Sequence, residues 1–76
     1  MKYIKLSNGK EYECTVDKVY GNYTLEETTL MYRICVYENT DDFEVGVPAI
    51  CVDGFYLETL IIEAIREMED YLKETN

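Results

Sequence analysis

The segment 57-LETLIIEAIREMEDYLK-73 decides the fold. Leu57, Leu60, Ile61, Ala64, Ile65, Met68, Tyr71 and Leu72 recur at spacings of three and four, so at about 100° per residue they share a single stripe. The run consists largely of good helix formers and contains no Gly or Pro. Asp53 or Gly54 supplies a start signal, and the spacing predicts an amphipathic helix over about residues 55–73. Such a helix is about 25 Å long, enough to cross a small sheet and exclude water from its inner face.

Upstream of it the periodicity changes from helical to alternating, which is the signature of the sheet the helix must cover. In residues 2–6, Lys2, Ile4 and Leu6 face one way and Tyr3 and Lys5 the other, and Ser7-Asn8-Gly9-Lys10 follows as a hairpin turn with an Asn-Gly pair. From Lys10 to Tyr20, Tyr12, Cys14 and Val16 alternate with Glu11, Glu13, Thr15 and Asp17. Val19 and Tyr20 break this pattern before Gly21-Asn22, so either a bulge forms near Asp17-Lys18 or the two residues join the turn. A long strand from Thr28 to Tyr37 places Leu30, Tyr32, Ile34 and Val36 on one face. Its other face, Met31, Arg33, Cys35 and Tyr37, is apolar enough to need a second cover, and a second protomer is one way to supply it. Glu38 to Asp42 reads as a polar turn, and Phe43, Val45 and Val47 alternate as a last short strand that Pro48 limits or places at an edge. The expected architecture is α+β: one domain over residues 1–76, with an antiparallel meander of about four strands within residues 2–47 and the C-terminal helix across one face.

Seventy-six residues leave no room for a second core. The absence of His removes the commonest general base and the commonest neutral metal ligand, so no enzymatic activity and no cofactor is expected. Asp41, Asp42 and Glu44 match no calcium-loop spacing, and the three cysteines lack a fourth zinc ligand, so no metal is expected. Gly9, Gly21, Gly46 and Gly54 are isolated and form no phosphate-cradling loop. Cys14, Cys35 and Cys51 are odd in number and widely spaced, which points to reduced, buried thiols in a cytoplasm. No apolar run approaches the roughly 20 residues of a membrane span, and the N-terminus enters its strand directly, so a soluble protein without a signal peptide is expected.

Charge is the most informative feature left. Sixteen acids against seven cations give a net charge of -9, while 47% hydrophobic residues suffice for folding. Residues 1–20 balance at +1 and residues 21–76 at -10, so the molecule is electrically lopsided. This sign argues against direct nucleic-acid binding and against anionic lipid, and in favour of a basic partner. On the predicted helix Glu63, Glu67, Asp70 and Glu74 fall within one arc beside the apolar stripe. Neighbours at these spacings have Cβ atoms roughly 5–6 Å apart. Such a row can stand in for a line of backbone phosphates, although an amphipathic helix always needs a polar face and Glu is a common way to make one. Asp41, Asp42 and Glu44, together with Glu38 and Glu26-Glu27, add to the acidity. Ile62, opposite the core stripe, and a surplus of Tyr, eight in all, are the apolar contacts of an expected protein interface, a homodimer being one form of it.

In size, charge and element order the chain resembles small phage or mobile-element proteins that inhibit bacterial defence systems, including several anti-CRISPR proteins. These share no sequence signature, so the resemblance transfers no role to an individual residue. It implies a cytoplasmic inhibitor, acting in the host cell if phage-encoded, that blocks the basic nucleic-acid-binding surface of a nucleic-acid-handling complex by charge mimicry and steric occlusion. The candidate contact residues are Glu63, Glu67, Asp70, Glu74, Asp41, Asp42, Glu44 and Ile62. The rival reading is a small homo-oligomeric structural or assembly protein whose acidity serves solubility alone.

Overall fold

The structure, a computed structural model, describes residues 2–22 and 28–74. The first hairpin forms where the Asn-Gly pair places it: β1 (Lys2–Lys5) and β2 (Glu11–Asn22) pair antiparallel in the register Lys2↔Cys14 to Lys5↔Glu11. Leu6 and Lys10 close the turn through Leu6 N to Lys10 O at 2.9 Å, and the Asn8 side chain accepts from Lys10 N at 2.9 Å. β3 (Thr28–Val36) continues the sheet, followed by a short helix α1 (Thr40–Val45), β4 (Ile50–Gly54) and the long helix α2 (Leu57–Glu74). The four strands lie in the order β1-β2-β3-β4, all antiparallel, and α2 packs on one face, so the fold is the expected α+β meander.

Four local expectations are corrected. Gly21 and Asn22 are not a turn but the end of β2, opposite Thr29 and Thr28, and the register runs without a bulge from Cys14↔Val36 to Asn22↔Thr28. An unbroken register keeps Cys14, Val16, Lys18 and Tyr20 of β2 on the same face as Leu30, Tyr32, Ile34 and Val36 of β3, so Val19 points outward beside Met31 rather than breaking the pattern.

The second correction concerns residues 43–47, expected as a strand and found as the second half of α1 and its exit. Local capping overrides the three-residue alternation. Asn39 accepts from Asp42 N at 2.8 Å, Asp41 and Asp42 lie in the first turn where the helix dipole favours anions, and Gly46, at φ 74°, ends the helix in the left-handed region. The fourth strand consequently lies beyond residue 47, at Ile50–Gly54, with Ile50 and Val52 facing inward opposite Val36 and Ile34.

Third, neither Asp53 nor Gly54 caps α2, because both belong to β4 and the helix starts at Leu57. Gly54 instead makes room for the helix. A Cβ built on it would stand 3.0 Å from Leu60 Cδ1, so the missing side chain lets the first turn of α2 sit directly on β4.

Fourth, the cysteines are not three equivalent thiols. Cys35 and Cys51 lie opposite each other in the β3–β4 register, on the outer face, and are joined by a disulfide, while Cys14 stays free and buried. Burial pushes the Cys14 thiol up, against the pull of the Lys2 charge.

The core lies between the inner sheet face and α2. Ile4, Leu6, Cys14, Ile34, Val36 and Val52 meet Leu60, Ala64 and Met68, and Ile34, Val36, Ala64 and Met68 are fully excluded from solvent. Complete burial of each large aliphatic side chain contributes about 1.5–3 kcal/mol. The outer face does have the second cover its apolarity calls for, but α1 of the same chain supplies part of it. Phe43 of α1 meets Tyr37 edge to face at 5.1 Å, Tyr37 N continues the ladder to Glu13 O at 2.9 Å, and the disulfide fills the adjoining stretch.

Candidate partner-binding surface

The helical periodicity that buries Leu60, Ala64 and Met68 turns Glu63, Glu67, Asp70 and Glu74 to one flank of α2, and all four stand exposed. Ile62 is 58% exposed on the back of the same helix, with Arg66 exposed one turn further along. Asp41, Asp42 and Glu44 lie on α1, Asp41 and Glu44 exposed and Asp42 half-buried. Glu26-Glu27 falls outside the described residues.

One hydrogen bond ties the two acidic groups to the same end of the molecule. Tyr71 Oη donates to Glu38 Oε2 at 3.0 Å, and Glu38 stands immediately before the Asn39 cap of α1. On α2, Tyr71 is four residues after Glu67 and three before Glu74, the spacings at which helical side chains are neighbours. The Tyr71 phenol is raised above its ordinary value, first by the hydrogen bond to Glu38, then by desolvation, then by the charges of Glu38 and Asp42. The field of α1 therefore reaches α2 at Tyr71. Tyr71, the helical neighbour of Glu67 and Glu74, is thus the point where α2 meets Glu38, whereas Glu63, one turn before Glu67, and Ile62, on the helix back, lie further along the helix.

A feature that sequence reasoning missed adjoins this end. A cleft of about 550 Å³, lined among others by Tyr3, Glu11, Tyr12, Glu13, Tyr37 and Glu38, opens where α1 meets β1 and β2. Thr40 Oγ1 donates to Glu13 Oε1 at 3.0 Å, while Glu13 Oε2 is buried with no hydrogen-bond partner. A buried carboxylate oxygen is costly to leave unpaired, and the cleft that Glu13 lines also carries Lys10 beside the acids Glu11 and Glu38. Alternation along β2 marks Glu13 only as an outward-facing residue. Its burial follows from α1 folding over it, which no local pattern reveals.

On the outer face, away from this end, Arg33 and Asp53 stand opposite each other in the β3–β4 register and form a two-pronged ion pair, Nε to Oδ1 at 2.8 Å and Nη2 to Oδ2 at 3.0 Å. The hydrogen bond from Arg33, and secondarily its charge, hold the Asp53 carboxyl below its ordinary value of 3.8, with desolvation opposing. Because the folded pKa is depressed, the pair's contribution is complete above the unfolded value and disappears as pH falls through the folded one. Both side chains are well exposed, so the effect is small. Asp53→Asn is expected to lower the urea midpoint slightly at neutral pH and by progressively less as pH falls below the ordinary value of 3.8; a shift that does not change with pH would show that the loss is not ionic.

Among the described residues no group of His, Cys, Asp and Glu is arranged to hold a metal ion, and no helix is long and apolar enough to cross a membrane. Comparison of the chain with protein-family models, with curated proteins and with solved structures finds no match.

Proposed function

We propose that this chain is a non-enzymatic binding module that presents an acidic surface, built from α1, Glu38 and the outer flank of α2, to a basic surface of a partner protein. The observation that carries the reading is the Tyr71–Glu38 hydrogen bond, which joins two acidic groups far apart in sequence into one continuous field. A net charge of -9 exceeds what solubility asks of so small a domain. Carboxylates spaced along a helix face lysines and arginines that otherwise meet phosphates, so the partner class is a nucleic-acid-handling complex and the mode is occlusion of its binding groove. The resemblance in size and charge to phage-encoded inhibitors of bacterial defence supports action in the host cytoplasm. Glu63, Glu67, Asp70 and Glu74, with Asp41, Asp42 and Glu44, steer the approach. Ile62 adds a desolvated contact, which is where most interface affinity arises. The orphaned oxygen of Glu13 offers a seat for a partner's guanidinium at the edge of the same surface.

The experiment is a pull-down with the tagged protein from nuclease-treated bacterial lysate at low and high salt, read by mass spectrometry. A nucleic-acid-handling complex that is retained at low salt and released at high salt is expected. Against that complex, replacing Glu63, Glu67, Asp70 and Glu74 with Lys is expected to slow association at least about tenfold and to flatten its salt dependence. Capture of the same complex with unchanged rate would remove this surface from the interaction. Recovery of the bait alone would favour the structural, self-assembling reading.

A further inference from the structure

Opposite the acidic end, the molecule carries a different surface. β1 pairs only with Glu11 to Cys14 of β2, and β4 only with Tyr32 to Val36 of β3. The remainder, Asp17–Asn22 with Thr28–Met31, forms a two-stranded arm to which no further strand is paired among the described residues. The arm also extends past the start of α2: Gly54, opposite Tyr32, touches Leu60, and the helix runs from there toward Ser7 and Glu38 at the other end.

No other element among the described residues covers the inner face of the arm, and apolar side chains collect on it and on the adjoining helix start. Tyr20 and Tyr56 are each 77% exposed, and Leu30, Leu57 and Ile61 are 36–40% exposed; these five are half of the ten large hydrophobic side chains standing exposed among the described residues. An apolar groove of about 510 Å³ runs along the same side between Val16, Cys14 and Ile4 and the helix residues Leu57, Ile61 and Ile65. Apolar patches of this kind on a small protein mark an interaction site.

We infer that the occupant of this face is a second copy of the chain, related by a two-fold axis, with the arm of each protomer against the arm and helix start of the other. Charge selects this occupant. The net charge of -9 opposes self-association through most of the surface. The arm, however, carries Lys18 on its inner face and Asp17 on its outer face beside Arg33, the groove adds Lys2 and Lys5, and Glu58 stands in the first turn of α2. A two-fold operation brings the lysines of one copy toward Glu58 of the other and leaves both acidic ends pointing outward.

Area agrees. The chain exposes 5563 Å², above the about 4,800 Å² of a compact monomer of 8.9 kDa, so it has surface to spare for a standard interface, to which each partner contributes ~800 Å². The Cα radius of gyration, 13.4 Å, likewise exceeds the about 11.4 Å of a compact chain of this length.

Sedimentation equilibrium and native mass spectrometry over micromolar to millimolar concentrations test the pairing. The unmodified protein is expected at twice 8.9 kDa. Leu30→Glu and Tyr20→Glu are each expected to raise the dimer dissociation constant at least about tenfold. Val45→Glu adds the same charge at the 72%-exposed Val45 of α1 and is expected to leave the constant within about twofold. Circular dichroism of each variant checks that the fold is retained, and Tyr20→Glu, at the more exposed of the two arm positions, serves if Leu30→Glu unfolds. A monomer at all concentrations overturns the inference, as does a dimer that the arm variants leave intact or that Val45→Glu weakens equally. A monomer that retains a hydrophobic small molecule in the native spectrum also overturns it and assigns the groove to a ligand instead.

Discussion

Replacing Leu60 with Ala is expected to cost about 2–5 kcal/mol, a large part of the stability that a chain this short possesses. Leu60 is 1% exposed, sits where α2 first meets the sheet, and lies against the bare Cα of Gly54. Its loss opens a cavity between two backbones that cannot close on it, because the approach of helix to strand is already set by the glycine. Ala is a better helix former than Leu, so the change acts through packing and not through the helix itself. Ile62→Ala, on the same helix but 58% exposed, supplies the control and is expected to stay within about 0.5 kcal/mol of the unmodified protein. Urea unfolding of the three proteins at one concentration reads both values. Equal midpoints for Leu60→Ala and Ile62→Ala would mean that α2 is not held through the face assigned to it.

The same helix shows what in this fold is legible in the residues. Strong periodicity names its own partner surface: the three fully buried positions Leu60, Ala64 and Met68 recur every fourth residue, and the acidic flank follows from them by rotation. The Asn8-Gly9 turn and the alternation from Tyr12 to Val16 and from Leu30 to Val36 are equally local, and the sheet faces they imply are those observed. What the residues do not reveal depends on competition or on tertiary register. Phe43, Val45 and Val47 satisfy a strand pattern, and only the combined weight of the Asn39 cap and the left-handed Gly46 puts Phe43 and Val45 into a helix and Val47 beyond its end. Once those residues are assigned to a strand, Ile50–Gly54 is left without a role, although Ile50 and Val52 alternate with Cys51 and Asp53 as plainly as in any other strand. The error propagates. Without β4 there is no position opposite Cys35 for Cys51, and no position opposite Arg33 for Asp53.

The candidate surfaces divide in the same way. That Glu63, Glu67, Asp70 and Glu74 share a flank follows from the helix alone, but that their neighbour Tyr71 meets Glu38 follows from the direction in which α2 crosses the sheet. The exposed arm is a difference of lengths: β2 has 12 residues and β1 only 4, which leaves an overhang that alternation within either strand cannot show. Tyr20 alternates as a core residue would and is 77% exposed because nothing among the described residues of this chain covers it.

Reducing the Cys35–Cys51 disulfide is expected to lower stability by about 3 kcal/mol, the chain-entropy value for a closed loop near 16 residues. The loop it closes contains α1 and the approach to β4, so the reduced chain regains freedom in the segment that carries Asp41, Asp42 and Glu44. The bond therefore bears on the proposed binding surface as well as on stability, because it tethers the segment that carries Asp41, Asp42 and Glu44 to the sheet. Its environment decides whether it operates. Disulfides persist in oxidising compartments and are rare in a cytoplasm, where Cys51, exposed on the outer face, is open to exchange with small thiols. Unfolding with and without a phosphine reductant, set beside the Cys35→Ala, Cys51→Ala double variant, separates the bond from the side chains. The reduced protein and the double variant are expected to share a midpoint below that of the oxidised protein, and Cys14→Ala is expected to leave the response to reductant unchanged because its buried thiol takes no part in the bond. Insensitivity to reductant would show that the bond does not constrain the unfolded chain. Thiol counting on protein quenched directly from a bacterial cytoplasm then connects the chemistry to the proposed site of action. Three free thiols would mean that the chain is present there in its looser form, with α1 held chiefly by the Phe43–Tyr37 contact and the Thr40–Glu13 hydrogen bond. One free thiol would mean that it works with the acidic surface locked.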